Sequence, residues 1–282
     1  NDPASGKSLS ATFDYVIVGA GTAGCVVARR LADSGASVLL LEAGGSDRIV
    51  WIQLPVGYGR TFFDKRINWM FDTEAVAALG GRTSYWPRGK VIGGSGSINA
   101  MVHVRGQPHD YDDWRDLGNT GWGWDDVLPY FIKAEDHDLG PSAVHGSGGP
   151  QHVTDISSRV HPLCQRFIAA GTAMGFPYSS DLNGTETEGV GVYQINTRGG
   201  RRASTANEYL RPVLRRGTIK LETNALATRI LFEGKRAKGI EYRQNGQTET
   251  ALARREVILC GGSINSPQLL QLSGIGSAEL LS

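Results

Sequence analysis

Ten residues near the start of the chain, Tyr15-Val16-Ile17-Val18-Gly19-Ala20-Gly21-Thr22-Ala23-Gly24, restrict its possible folds more than any other stretch. An apolar run feeds a G-x-G-x-x-G loop, and Glu42 closes the next apolar run. Phe13 to Val18 reads as a strand. Thr22 to Asp33 has the helical spacing of Ala23, Val26, Val27 and Leu31, Gly35 stops it, and Ser37 to Leu41 reads as a second strand. In that setting each glycine has a task. Gly19 allows the tight turn, Gly21 lets backbone approach a pyrophosphate, and Gly24 lets the helix pack closely on the strand. Thr22 and Ala23 open the helix, where first-turn N–H groups lack intrahelical partners and the macrodipole favours an anion. Glu42, followed by Ala43, supplies an acceptor for ribose hydroxyls. The pattern predicts a dinucleotide-binding unit.

The rest of the composition narrows the class. Lys plus Arg (29) and Asp plus Glu (28) nearly cancel, which argues against nucleic acid or an anionic membrane surface as the main partner. No stretch has the apolar length of a membrane-spanning helix, and the polar start Asn1 to Ser10 has no signal-peptide core, so a cytoplasmic protein without a membrane span is expected. Cys25, Cys164 and Cys260 are too far apart for a zinc or C-x-x-C motif and read as small buried residues in a reducing compartment. His103, His109, His137, His145, His152 and His161 form no H-E-x-x-H or similar face, so no metal is expected. Asn183-Gly184-Thr185 is a lone glycosylation sequon, of the kind that arises by chance.

Between residues 43 and 100 the chain is punctuated by Gly and Pro, and a long stretch of that kind inside a globular chain is usually functional. Its densest part, Arg88 to Val102, has small residues that let backbone approach a bound group, followed by apolar residues at helical spacing. Asp110 to Asp138, with Trp114, Trp122 and Trp124, predicts surface helices packed through aromatic faces. Thr205-Ala206-Asn207-Glu208 has the form of a capping box opening a helix through Leu214, with Arg201 and Arg202 decorating its start. Thr218–Leu221, Thr228–Phe232, Gly239–Arg243 and Thr248–Leu252 alternate like strands of a β-meander, with Asn245-Gly246 as a hairpin turn. Val257-Ile258-Leu259-Cys260-Gly261-Gly262 then re-enters as an apolar strand, and a helix follows over Pro267–Leu272. The middle of the chain is thus an excursion into a second domain.

Three segments together resemble the glucose-methanol-choline flavoprotein oxidoreductases: Gly19 to Gly24 with Glu42, Gly89 to Val102, and Gly262-Ser263-Ile264-Asn265-Ser266-Pro267-Gln268-Leu269-Leu270-Gln271-Leu272-Ser273-Gly274-Ile275-Gly276. The last fixes residues over fifteen positions and is the most specific. Trp86 to Lys90 and Asn99 to Val102 look closest to the branch that holds choline and other alcohol dehydrogenases, although His103 stands where an aromatic residue or Ala is usual. The resemblance implies an α/β fold: a Rossmann-type FAD-binding domain with a β-meander (residues 11–104 and 217–282), plus part of an α+β substrate-binding domain (105–216). It implies FAD as cofactor and oxidation of a primary or secondary alcohol by hydride transfer to flavin N5. Arg88, Gly89, Val91, Gly94, Asn99, Ala100, Met101 and Val102 would lie along the pyrophosphate, ribityl chain and isoalloxazine. Ala227 matches the position whose backbone meets adenine, and Cys260 and Gly261 would close over the adenosine.

Where members with a histidyl-flavin bond carry their His, this sequence has Ile98, which has no nucleophile, so noncovalent FAD is expected. Members are about twice as long, and their chemistry resides near the C-terminus; catalytic residues are expected beyond Ser282, in a missing C-terminal half, as a second polypeptide or otherwise. Two alternatives use the same scaffold: a lyase resembling the plant hydroxynitrile lyases, with structural FAD, and an inactive cofactor-binding fragment.

Overall fold

In the computed structural model, which describes residues 11–185 and 188–281, the chain forms two compact units. One is built from the stretch ending at Asn99 together with the chain from Ser204 onward; the other is Ala100–Ala203. The polar start Asn1 to Ser10 lies outside the described residues. Both crossings come earlier than the sequence suggests, near 99 and 203 rather than 104 and 216. The second differs because Ala206, Leu210 and Val213 pack with Ile17, Cys25 and Ala28 in the core of the first unit.

In the first unit, β1 (Ala11–Val18), α1 (Thr22–Asp33) and β2 (Val38–Leu41) follow in order. Four later strands complete the sheet: β3 (Ile219–Glu222), β4 (Leu226–Glu233), β5 (Arg236–Gln244) and β6 (Gln247–Leu259). Their order is β3-β2-β1-β6-β5-β4. The first three pairings are parallel and the last two antiparallel. β1 and β2 read as continuous apolar runs because both faces are covered. Val16, Val18, Leu39 and Leu41 face a core with Ile230, Ile240, Tyr242 and Leu269, whereas Ile17, Val38 and Leu40 face Cys25, Ala28 and Ala32 of α1. Small residues on that helix let it lie close to the sheet.

Local patterns mislead in several places. Thr218–Leu221 belongs to no meander, because the observed β3 pairs parallel with β2 at the sheet edge. The two strands expected around residues 248 and 257 are one, since β6 pairs antiparallel with β5 in its first half and parallel with β1 along most of its length. Its charged middle is accommodated: Arg254 Nε donates to Asp14 Oδ1 (3.1 Å) and Arg255 stacks over Tyr15. The helix expected from Pro267 starts at Gly262 and runs to Leu272; it is α5 once the second unit's helices are counted. The Thr205 capping box does not form. Ser204 Oγ accepts the Asn207 N–H instead (3.3 Å), and residues 206–210 are a wide π-turn before Arg211–Leu214.

The second unit has α2 (Pro108–Asp116), α3 (Trp124–Ala134) and α4 (Pro162–Ala173), with small strand pairs between them. Tyr111 touches Trp114, Trp124 and Phe131, so the aromatic packing of α2 on α3 follows the sequence expectation. No helix follows the Gly-rich segment. Gly94–Ser97 is a single 3₁₀ turn, and Val102–His103 pairs antiparallel with Gln194–Ile195. Arg201 and Arg202 are not at a helix start but in a hairpin with Thr197 and Arg198, and Arg202 is buried. Cys25 is buried as expected, whereas Cys164 is exposed on α4. Among the described residues no helix is long and apolar enough to cross a membrane.

Candidate functional site

At the C-terminal ends of β1, β2 and β6 a cavity of about 520 Å³ opens within the first unit. Gly19 sits at φ +97° in the turn after β1, and a Cβ there would come 2.5 Å from the Cys260 carbonyl oxygen. A Cβ on Gly24 would come 1.9 Å from the Gly19 oxygen. These two glycines are therefore demanded by the protein's own packing. Gly21 is different. It lines the cavity, and a Cβ on it would meet no protein atom nearer than 3.9 Å. Its missing side chain leaves room for a ligand rather than for the fold. Gly21 also caps α1 without a side-chain hydrogen bond, so Thr22 and Ala23 present the helix start to the cavity wall.

Glu42 is 6% exposed at the end of β2. Its Oε2 accepts the Ala20 N–H (3.0 Å) and its Oε1 the Gly44 N–H (2.8 Å). Burial pushes the carboxyl up to about 7, against the pull of the Gly44 and Ala20 bonds. Glu42 thus fastens the glycine turn to the end of the second strand, a role its spacing does not reveal. Each oxygen keeps a further lone pair for a hydroxyl on the cavity side.

Ala43, Arg88, Gly89, Gly94, Ala227, Cys260 and Gly261 also line the cavity. Arg88 is anchored by its backbone, since Asn68 Oδ1 accepts its N–H (3.0 Å) and Trp69 donates to its carbonyl (2.8 Å). Gly89 donates to Ser95 Oγ (3.1 Å), and a Cβ on Gly89 would strike the Gly94 carbonyl group at 2.2 Å. Val91 does not reach the cavity. Its side chain is fully buried with Ile52, Ile67 and Ile98, because that apolar pocket removes it from water while its backbone bridges Gly45. Asn99 ends the first unit and is not on the cavity wall; its N–H returns to the Ser95 oxygen (2.9 Å). Ala100, Met101 and Val102 belong to the second unit.

Sequence reasoning missed Trp69, Ser95, Ala225 and the face of α5 that carries Gln268 and Leu269, all on the cavity wall. The signal for α5 was present, because Gly261-Gly262 after an apolar strand places a second helix start at the same cavity. Trp69 had no comparable mark; Lys90 Nζ lies 4.6 Å from its ring centre.

The second unit holds a separate group of convergent side chains. Glu135, His137 and His145, all buried, bring potential ligand atoms within 4.8 Å of one another, which their spacing does not disclose. Both ring nitrogens of His145 are committed, whereas His137 Nε2 is buried without a hydrogen-bond partner among the described residues. His145 Nδ1 faces Glu135 Oε2 (2.8 Å) and Nε2 faces Asp181 Oδ2 (2.7 Å). These bonds raise the imidazole to about 9. His137 Nδ1 accepts the Leu139 N–H (3.1 Å), which puts the proton of the neutral ring on Nε2, where it offers no lone pair to a cation. Glu135 and Asp181 flank His145 as an ion-pair cluster. Asn183 of the sequon is buried, with Nδ2 donating to the His103 carbonyl and to Gln194 Oε1 (both 2.9 Å), so its amide is not presented for a sugar.

The sequence profile of the GMC oxidoreductases matches residues 13–281. Among curated proteins, the mitochondrial choline dehydrogenase of Homo sapiens is 47% identical over 98% of this chain and 48% of its own length. An oxygen-dependent choline dehydrogenase of Vibrio vulnificus is 46% identical over 95% of this chain and 48% of its own. The chain therefore spans about half the length of the relatives it matches. Among solved structures, pyridoxine 4-oxidase from Mesorbium loti superposes with a TM-score of 0.91 at 36% identity, covering 95% of this chain and 53% of that one. A formate oxidase superposes at 0.86 with 27% identity, covering 96% of this chain and 49% of that one. With the family profile matching nearly the whole chain and the glycine-built cradle in place, the chain belongs to the GMC oxidoreductase family.

Proposed function

We propose that this chain is the cofactor-binding part of an FAD-dependent enzyme that oxidises a primary or secondary alcohol, with choline the first substrate to try. The observation that carries the reading is the cradle: Gly21 leaves room that protein packing does not require, beside a buried carboxylate with spare lone pairs. FAD is the cofactor that the family implies, and these residues fit it. Gly19 to Ala23 would hold the pyrophosphate on backbone N–H groups, Glu42 the ribose hydroxyls, and Ala227 with Cys260 and Gly261 the adenosine. Arg88, Gly89 and Gly94 would follow the ribityl chain toward the isoalloxazine.

When bound, FAD would supply the redox chemistry, its N5 being the expected hydride acceptor for the alcohol carbon. The chain's own residues bind and orient it. The group that takes the hydroxyl proton would come from the rest of the enzyme, either further along the same polypeptide or in a second one. Binding is noncovalent: Ile98 is 2% exposed within an apolar cluster and has no nucleophile to offer. Acid precipitation should leave the yellow colour in the supernatant.

Anaerobic mixing of the FAD-loaded full-length protein with choline and with simple alcohols tests the activity. Bleaching of the oxidised flavin by choline or another alcohol is expected. A flavin that stays oxidised with every alcohol, while a hydroxynitrile is cleaved, would instead favour the lyase alternative.

A further inference from the structure

Helix α4 of the second unit is apolar nearly all round, yet it stands open to solvent. Its ends are well made. His161 Nδ1 accepts the Leu163 N–H (3.2 Å), Pro162 takes the first position, where no N–H is needed, and Gly175 at φ +95° lies just beyond the last turn. Between those ends Arg166 is the only charged side chain. A helix of that composition belongs in an interior. Of its twelve residues, however, only Ile168 is buried. The helix rests on its unit by that side, since a Cβ on Gly171 would come 2.7 Å from the Val190 side chain. Among the described residues no helix or strand packs along the rest of it.

Leu163, Phe167, Ala170 and Met174 recur at steps of four, three and four, so they form one stripe. At 3.6 residues per turn the stripe lies about a third of a turn round from Ile168. Leu163 is 69% exposed, Phe167 74% and Met174 77%, with Ala170 exposed between them. The other two helices of the unit show what a satisfied face looks like. Tyr111 of α2 meets Trp124 and Phe131 of α3, and the exposed positions include Asp113, Asp116 and Asp125.

We propose that the stripe from Leu163 to Met174 is the docking surface for the polypeptide that the family carries beyond the half matched here. The occupant is argued from length, because this chain spans about half of its relatives and a stretch of similar size remains to be packed. An apolar stripe with hardly any charge suits an interface that stays closed. In the relatives both halves are one chain, so the second meets the stripe at a high effective concentration that a separate copy of this chain does not have. The inference rests on the functional reading above in taking this chain as one part of a larger enzyme.

The test uses the FAD-loaded full-length protein carrying Ala170→Cys, treated with a thiol reagent and read peptide by peptide by mass spectrometry. Asp113→Cys, on exposed α2, is the reference. The thiol introduced at 170 should label at least about tenfold more slowly than the one at 113, because the reagent must wait for local opening. A cross-linker attached to it should join peptides from beyond residues 1–282. Oxidation of Met174 by dilute peroxide reads the same surface without any substitution, and should be slow by comparison with the free peptide. Equal labelling at 170 and 113, or Met174 oxidised as fast as in the peptide, overturns the proposal. So do cross-links confined to residues 1–282, with protection lost on dilution pointing to a second copy, and protection that arises only with phosphatidylcholine vesicles. A stripe covered by the remaining half, in a protein whose flavin no alcohol reduces, overturns the functional reading alone.

Discussion

The nucleotide cradle and the Glu135 cluster are both buried and polar, yet they are built from opposite materials. The cradle is backbone: helix starts, a glycine turn, and one carboxylate that holds the turn through the N–H groups of Ala20 and Gly44. The cluster is side chain: a carboxylate held by His103, Arg105 and His145, with Asp181 behind the last. The first should be intolerant of added atoms and the second of removed charge. Substitutions can break or sharpen that contrast.

The largest effect should follow from adding a single methyl group to the cradle. Gly24→Ala places a Cβ 1.9 Å from the Gly19 carbonyl oxygen, with the Cys260 side chain at 3.3 Å, and the first unit should fail to fold, seen as loss of its cooperative melting transition. Gly21→Ala should melt like the parent and lose FAD affinity. If both variants fold equally well, the glycines are not sorted between fold and ligand as described.

Next in size is Glu135→Ala. Removing one partner from a buried charge cluster leaves Arg105 without its carboxylate and His145 with Asp181 alone, and should cost about 3–5 kcal/mol in denaturant unfolding of the second unit. The same cluster sets an alkaline limit. His145 is raised from 6.5 to about 9 by Asp181 and Glu135, so its contribution is fully present below 6.5 and is lost as pH climbs through 9. His145→Gln should flatten that alkaline fall, and an unchanged pH profile would mean that the ion pairs carry little.

Glu42→Ala comes third, with FAD affinity reduced about tenfold to a hundredfold, the worth of charge-assisted bonds to ribose. A second readout needs no cofactor. Burial raises this carboxyl from 4.5 to about 7, so over that window the folded state keeps a proton that the unfolded chain has released. Stability of the FAD-free protein should therefore fall as pH rises from 4.5 to 7, and the variant should lack that slope. Smallest of all is Arg115→Ala. Its pairs with Asp112 and Asp116 are exposed, and the melting transition should stay where it is in the parent.

The same contrast explains what could be read in advance. Gly19, Gly21, Gly24 and Glu42 are close in sequence and act through backbone geometry, so spacing alone exposes them. Cys260 and Gly261, expected at the adenosine only through the family resemblance, line the opposite wall. Glu135 gathers partners from positions 103, 105, 145 and 146, with Asp181 behind His145, and no short pattern joins those positions. Strand β6 looked like two strands because Arg254, Arg255 and Glu256 break its alternation; the charges are handled by Asp14 and Tyr15 on the neighbouring strand, which pattern reading cannot see. Thr205 looked like a helix cap for the opposite reason, a good local motif overruled by packing that favours Ser204.

The position of β6 also has a consequence for the order of biosynthesis. β1 lies between β2 and β6, and β2 lies between β1 and β3. A ribosome delivers β1 and β2 early, but β3 begins at Ile219 and the stretch of β6 that pairs with β1 begins at Ala251. At about 5–20 residues per second, the two apolar strands wait on the order of ten seconds or more with unpaired edges. During that wait the whole of Ala100–Ala203 emerges. The inserted unit thus has time to fold first, while the nascent nucleotide sheet is the natural client for a chaperone.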